Sequence, residues 1–170
     1  MLACTDTHYS EAHSTTAVVL FEAWGDEVAK AEVVRQIPQP SSEYVPGEFY
    51  RRELPCIMAA IGPMRDTLSA VIIDGYVWLD DKNRKGLGAV LYEELGQSIS
   101  VIGVAKNRFS GSSGVEVFRG KSSRSLLVTA AGMDNTEAAA HIRSMAGESR
   151  MPTLLKRADF LSRHGRSGSG

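Results

Sequence analysis

Three acids in this 170-residue chain stand where an ionised carboxylate calls for compensation. Asp74 closes the apolar run Leu68-Ser69-Ala70-Val71-Ile72-Ile73 and is followed by Gly75, so its carboxylate emerges at the carboxyl edge of a sheet. Asp6 directly follows the short apolar stretch Leu2-Ala3-Cys4. Glu53 comes just before a helix expected to start near Pro55, after Arg51 and Arg52. An acid at the end of a buried strand is costly to desolvate. A divalent cation is one compensator, and Mg²⁺ prefers hard carboxylate oxygens. Acids from strand ends and a neighbouring helix start can converge on one cation or two, an arrangement that activates water and stabilises the leaving oxygen in phosphodiester hydrolysis. Taken singly, each acid also has a structural reading: a turn residue for Asp6, a surface ion pair with Arg51 or Arg52 for Glu53, a cap or turn acid for Asp74.

Two further features bear on such chemistry. Lys106 ends the apolar run Ser100 to Ala105, at the equivalent sheet edge, where an ammonium could hold a phosphate or orient the attacking water. Tyr44-Val45-Pro46-Gly47 puts an aromatic and a stiff proline ahead of Glu53. Such a wedge can enter a base stack and hold it open, though the same residues also make an ordinary turn.

The elements that must position these residues follow from local pattern. Leu2–Cys4, Ala17–Phe21 and Ala31–Ile37 read as three strands of an antiparallel meander, stopped by Pro38-Gln39-Pro40. Pro55–Ile61 reads as a short helix with Pro55 in its first turn, closed by Gly62-Pro63. Leu68–Ile73 and Ser100–Ala105 are apolar on both faces, as buried parallel strands are. Between them, Leu87, Val90, Leu91 and Leu95 mark a helical stripe. After a Ser/Gly-rich stretch, Asn107–Gly114, come strands at Val115–Phe118 and Leu126–Thr129. Asp134-Asn135-Thr136-Glu137 opens one helix as a capping box, and a last helix starts near Pro152. The expectation is one α/β domain over residues 1–165 with a mixed central sheet, in the element order of the ribonuclease H-like fold, and a frayed tail at 166–170.

Composition narrows the class. Hydrophobic residues make up 43% and charged residues 23%, which excludes a disordered chain. No apolar run reaches the roughly 18 residues of a membrane span, and no signal peptide or transmembrane helix is expected. Cys4 and Cys56 form neither a zinc motif nor a disulfide framework, so a reduced, cytoplasmic protein is the default. The net charge of −1 conceals a split: residues 1–81 hold 5 Lys/Arg against 13 Asp/Glu, and residues 82–170 hold 14 against 7. That asymmetry suits a metal-collecting region beside a phosphate-collecting one, and it also arises by scatter over a folded surface.

Together these residues resemble the endonuclease V family, metal-dependent repair nucleases acting at deaminated purines. Tyr44 to Pro55 is similar to that family's wedge leading into Arg-Glu-x-Pro, and Leu68–Gly75 to its strand ending in Asp-Gly. Ile102-Gly103-Val104-Ala105-Lys106 is similar to its Ile-Gly-Val-Ala-Lys, Cys4–Tyr9 to its first metal-binding strand, and Arg150 to Asp159 to its closing helix. The resemblance implies a ribonuclease H-like fold and a Mg²⁺ or Mn²⁺ cofactor held by Asp6, Glu53 and Asp74. Lys106 would be the catalytic lysine, Tyr44, Val45, Pro46 and Gly47 the wedge, and Gly75 and Phe49 part of the pocket for a flipped base. The substrate would be DNA or RNA near an inosine.

Departures from the family pattern set further expectations. After Asp74-Gly75 the family continues with a small residue, a glycine and His-Pro-Arg, whereas this chain has Tyr76-Val77-Trp78, whose bulk is expected to fill or reshape the base pocket. Where the family has Pro-Gly and a ligand, this chain has Ala131-Gly132-Met133-Asp134. Thioether sulfur suits Mg²⁺ poorly, so Asp134 is the candidate fourth ligand, with helix N-cap as its other reading. Lys82, Arg84 and Lys85, and then Lys106, Arg108, Arg119, Lys121 and Arg124, are expected on one face along a phosphate backbone. A cytoplasmic monomer with a nucleic-acid substrate and no membrane partner is the leading expectation. The competing ones are a non-catalytic nucleic-acid-binding relative with an altered base pocket, and a small-molecule-binding α/β domain with an uncharged cleft.

Overall fold

β-Branched and aromatic residues crowd the first forty positions, and there the chain forms its meander: β1 (Leu2–Tyr9), β2 (His13–Phe21) and β3 (Ala31–Pro38), each antiparallel to the next. This computed structural model describes residues 1–38, 50–108 and 111–165. β1 is longer than its apolar start suggests. Its polar half, Asp6 to Tyr9, pairs with β2 from Asp6↔Ala17 to Tyr9↔Ser14, so backbone groups that a turn would leave to water join a ladder. Asp6 therefore lies inside the strand and not just after it.

Helix α1 (Tyr50–Ile61) also starts earlier than expected and carries Glu53 in its first turn, with Pro55 inside the helix. Proline near a helix start forgoes a single ladder bond, and the apolar residues that anchor the helix, Cys56, Ile57, Ala60 and Ile61, all lie beyond it. A 3-10 turn, Gly62–Thr67, leads into β4 (Ala70–Asp74). Next come α2 (Leu87–Glu94), β5 (Ser100–Ala105), β6 (Val115–Val117), β7 (Leu126–Ala131), α3 (Asn135–Ser144) and α4 (Thr153–His164). Asp134 caps α3, accepting bonds from the backbone N–H groups of Thr136 and Glu137, the N-cap half of the expected capping box, while the Glu137 carboxylate faces His141 at 3.7 Å.

The sheet has the order β3-β2-β1-β4-β5-β7-β6. β1, β4 and β5 are parallel, while β7 runs antiparallel to β5 and β6 antiparallel to β7. This is the mixed sheet expected. Strand alternation divides the core. Cys4, Ile72, Ile102 and Val104 point to the face covered by α3 and α4; Ala3, Val71, Ile73 and Val101 point to the face covered by α1 and α2.

Tyr44, Val45, Pro46, Gly47 and Phe49, and the tail 166–170, lie outside the described residues. Among the described residues no helix is long and apolar enough to cross a membrane.

Candidate active site

Two parallel strands bring the first pair of acids together. β1 and β4 are in register from Leu2↔Ala70 to Thr5↔Ile73, so the next step along each strand is Asp6 beside Asp74. With a two-residue repeat, Asp6 continues the row of Cys4, Asp74 that of Ile72, and Lys106 that of Ile102 and Val104. All three side chains leave the sheet on its α3/α4 face, at the carboxyl edge of the parallel strands. There they line a cleft of about 370 Å³, with Met151, Leu155 and Lys156 among its other walls. The Lys106 ammonium donates to an Asp74 carboxylate oxygen at 2.6 Å.

Glu53 reaches the same edge from α1, on the other face of the sheet. It lines a second cleft, of about 310 Å³, with Tyr50, Asp74, Gly75, Tyr76 and Lys85. Asp74 borders both clefts. Burial, first, and then the charges of Asp6 and Asp74 push the Glu53 carboxyl up to about 8. Asp6 is also raised, chiefly by burial; a hydrogen bond from Ser162 opposes the rise, while the charges of Asp159 and Asp74 add to it. The carboxylates thus feel one another from both sides of the sheet.

Two residues beyond the expected ones join this edge from α4. Asp159 lines the first cleft, and the buried Ser162 hydroxyl donates to an Asp6 carboxylate oxygen at 2.5 Å. Their signal is helical: Leu155, Asp159 and Ser162 recur at i, i+4 and i+7, which sets two polar residues beside the apolar stripe of Leu154, Leu155, Ala158 and Leu161. Arg150 also lines the cleft. Its guanidinium donates to the backbone oxygens of Lys106 and Ser125, fixing the segment between α3 and α4 against the end of β5.

Other expected residues fall elsewhere. Because β7 is antiparallel to β5, with Val101 opposite Ala131, its carboxyl end points to the edge opposite Asp74. Asp134 comes after that end and caps α3, so it does not join the other acids as a fourth ligand. Arg119 is buried, and its guanidinium donates to the backbone oxygens of Met145, Ala146 and Gly147. It holds a loop and does not track phosphate. Lys85 pairs with Glu93 at 2.6 Å, Arg84 with Asp80 at 3.4 Å and Arg108 with Glu116 at 3.6 Å, while Lys82 is exposed.

Gly75 borders the Glu53 cleft, and the bulky run after it is latched over β5 and β7. The Val77 N–H donates to the Thr129 hydroxyl at 2.9 Å, the Trp78 indole to the Ala130 carbonyl at 2.8 Å, and the Tyr76 hydroxyl to the Asn107 carbonyl at 2.6 Å. Val77 is buried, Tyr76 forms one wall of the cleft, and a cleft remains. Gly103 allows the latch: a Cβ there would lie 2.6 Å from the Gly75 carbonyl oxygen and 2.8 Å from the Val77 nitrogen.

The donors fit a hard divalent cation. They are carboxylates only, and two of them are held above their ordinary range by burial and mutual repulsion, a penalty that a bound dication would relieve. As the side chains stand, no group of three or more His, Cys, Asp or Glu among the described residues is close enough to hold a metal. An oxygen of Asp6 is engaged by Ser162 and one of Asp74 by Lys106.

Comparison with known proteins agrees with this layout. The family model for endonuclease V matches residues 1–151. Endonuclease V of Streptomyces avermitilis is 30% identical over 168 residues, covering 86% of this chain and 71% of that protein. The crystal structure of human ENDOV superposes with a TM-score of 0.77 at 17% identity, over 99% of this chain and 85% of that one. Ciona intestinalis endonuclease V, solved with a 24mer DNA containing an inosine followed by a ribo-adenosine, gives 0.76 at 16% identity, over 95% and 84%. At those identities the two structures carry the fold, which is ribonuclease H-like.

Proposed function

The chain belongs to the endonuclease V family, and on that premise we propose that it is a divalent-metal-dependent endonuclease hydrolysing a phosphodiester bond near an inosine in DNA or RNA. The observation that carries this reading is the level pairing of Asp6 and Asp74 on adjacent parallel strands, with Glu53 brought to the same edge from α1. Asp6, Asp74 and Glu53, with Asp159 beside them, would hold Mg²⁺ or Mn²⁺. Bound there, the cation would supply Lewis-acid activation of water and charge stabilisation of the leaving oxygen.

The chain's own residues divide the rest of the work. Lys106, donating to Asp74, lies within reach of a phosphate that approaches the acids, where its charge would offset negative charge developing in the transition state. Ser162 fixes one oxygen of Asp6 and so selects which oxygen faces the cleft. Gly75 and Tyr76 would flank a base turned out of its stack, and the segment Tyr44–Gly47, with Phe49, would serve as the wedge and part of the base pocket. Lys82, Arg84, Lys85 and Arg108 would contribute positive charge along the backbone.

The test is nicking of an inosine-containing oligonucleotide, as DNA and as RNA, with Mg²⁺ or Mn²⁺. The wild-type chain cuts at least one and Asp74→Ala abolishes the cut. Salt-sensitive binding without cleavage would assign the chain instead to the non-catalytic relatives, the reading that the Tyr76–Trp78 segment favours. Neither binding nor cleavage would refute both.

A further inference from the structure

A third cleft, a groove of about 400 Å³, lies beside the candidate active site on its β6/β7 side. Lys106 and Arg150 line both the acid cleft and this groove, so the two are neighbours that share a wall. Arg108, Arg124 and Phe118 also line it. Four cations face one acid there, Glu116, whose carboxylate is already engaged by Arg108 and by the Ser125 hydroxyl. Lys106 is paired with Asp74, and Arg150 donates through one guanidinium nitrogen to two backbone carbonyls. That leaves the Arg124 guanidinium as the groove's cation without a partner among the described residues.

Phe118 is the odd residue in this setting. Alternation along the edge strand β6 and just past it turns Val117 and Arg119 inward and Glu116 and Phe118 outward, leaving Phe118 57% exposed. Phe160, the other aromatic among the exposed large hydrophobics, stacks on His164 with ring centroids 4.6 Å apart and takes Arg157 over its face. Phe118 has no ring contact among the described residues. An unpartnered ring among cations, in a groove beside the candidate active site, matches the two parts of a sequence-tolerant single-strand platform: base stacking and backbone charge.

We propose that this groove is a strand-binding subsite, in which a base of the strand flanking the scissile bond stacks on Phe118 while Arg124 holds a neighbouring phosphate. The inference rests on the nucleic-acid substrate proposed above. It concerns the path of the strand beyond the acids and leaves the chemistry at Asp6 and Asp74 untouched.

Binding of a fluorescein-labelled, inosine-containing single strand, monitored by anisotropy in EDTA over a range of salt, tests it. Phe118→Ala weakens binding by about fivefold or more, and Phe118→Leu, which keeps apolar bulk without a ring, does the same. Phe118→Trp restores affinity, and none of the three changes the salt slope. Arg124→Ala also weakens binding but lowers the slope of log K against log salt by about 0.7, the loss of one single-strand phosphate contact. Thermal melts checked beside the wild type exclude misfolding, and the leucine and tryptophan variants carry the test if the alanine variant is damaged. Wild-type binding that Phe118→Leu and Arg124→Ala leave unchanged overturns the subsite alone. A wild-type chain that binds no strand at low salt overturns the proposed function with it.

Discussion

Replacing Glu53 with glutamine removes a charge and little volume, and the structure fixes the sign of the resulting change in stability. In the metal-free folded chain the Glu53 carboxyl is pushed from 4.5 to about 8, first by burial and then by repulsion from Asp6 and Asp74. Below pH 4.5 both folded and unfolded chains hold the proton, and Glu53 has no effect on stability. Between about pH 4.5 and pH 8 the unfolded chain releases the proton while the folded chain keeps it, so wild-type stability falls as pH rises. Above pH 8 the penalty is constant. A shift of this size corresponds to a ceiling of about 5 kcal/mol. Glu53 is only partly buried, so solvent and side-chain relaxation reduce the expected loss to about 1–3 kcal/mol.

Urea unfolding in EDTA at pH 5, 6, 7, 8 and 9 measures the loss. Glu53→Gln should come nearest the wild type at pH 5, where the penalty has only begun, and exceed it by about 1–3 kcal/mol at pH 8. The raised Asp6 leaves a slope of the same sign in both proteins, which cancels in their difference. Adding Mg²⁺ or Mn²⁺ should stabilise the wild type most at high pH, where the ligand is ionised, and the variant less. A wild-type-minus-variant difference that stays flat from pH 5 to pH 8 would refute the coupling of Glu53 to the acid edge. A variant less stable than wild type at pH 8 would do so as well.

Three other perturbations probe the supporting structure. Ser162→Ala frees one oxygen of Asp6; we expect a weaker Mn²⁺ complex by titration calorimetry, by about 10-fold as for other outer-sphere partners of metal ligands, with Ser162→Thr closer to wild type. Arg119→Met leaves the Met145, Ala146 and Gly147 carbonyls without their shared donor, and the urea midpoint should fall by an amount equivalent to about 2–4 kcal/mol. Gly103→Ala drives a methyl group into the Gly75 carbonyl and the Val77 nitrogen, so thermal melting should drop by several degrees, on the order of 1–3 kcal/mol of overpacking, together with nicking activity. An unchanged melting temperature in Gly103→Ala would show that the latch over β5 is loose.

How legible each feature is in the sequence depends on the range of the interactions behind it. Asp74 at the end of a doubly apolar strand, Lys106 at the end of the next and Asp134 as a cap all announce themselves within a few residues, and each stands where local pattern puts it. The length of β1 depends on β2, because the threonines and Asp6 become strand only when a partner takes up their backbone groups. The direction of β7 is likewise a tertiary fact. Nothing in Leu126–Ala131 says which way it runs, yet that direction separates Asp134 from the other acids by the length of the sheet. Arg119 looks like any surface cation until Val117 is seen to be buried two residues earlier. Asp159 and Ser162 escape notice because polar residues beside an apolar helical stripe resemble a solvated boundary, and only packing of α4 against β1 aims them at Asp6.

The uneven charge of the two halves of the chain takes on a different meaning once folded. The acidic half supplies β1, α1 and β4, and therefore Asp6, Glu53 and Asp74; the basic half supplies Lys106, Arg150 and Lys156, together with Asp159. Both meet at one edge of one sheet. Much of the remaining charge is consumed elsewhere, in the Glu32–Arg157 and Glu22–Lys30 pairs and in the buried Arg119, so the whole basic half does not form a single phosphate-binding face. The charge that matters is a narrow dipole, with acids at the strand ends and cations beside them running out toward Arg124. The proposed function would require a cation and a phosphate to be held side by side, and neither sign of protein charge alone could hold both. A chain of net charge −1 is therefore what such a site looks like on average. Its salt dependence should report the few cations of the groove, not the nineteen lysines and arginines of the sequence.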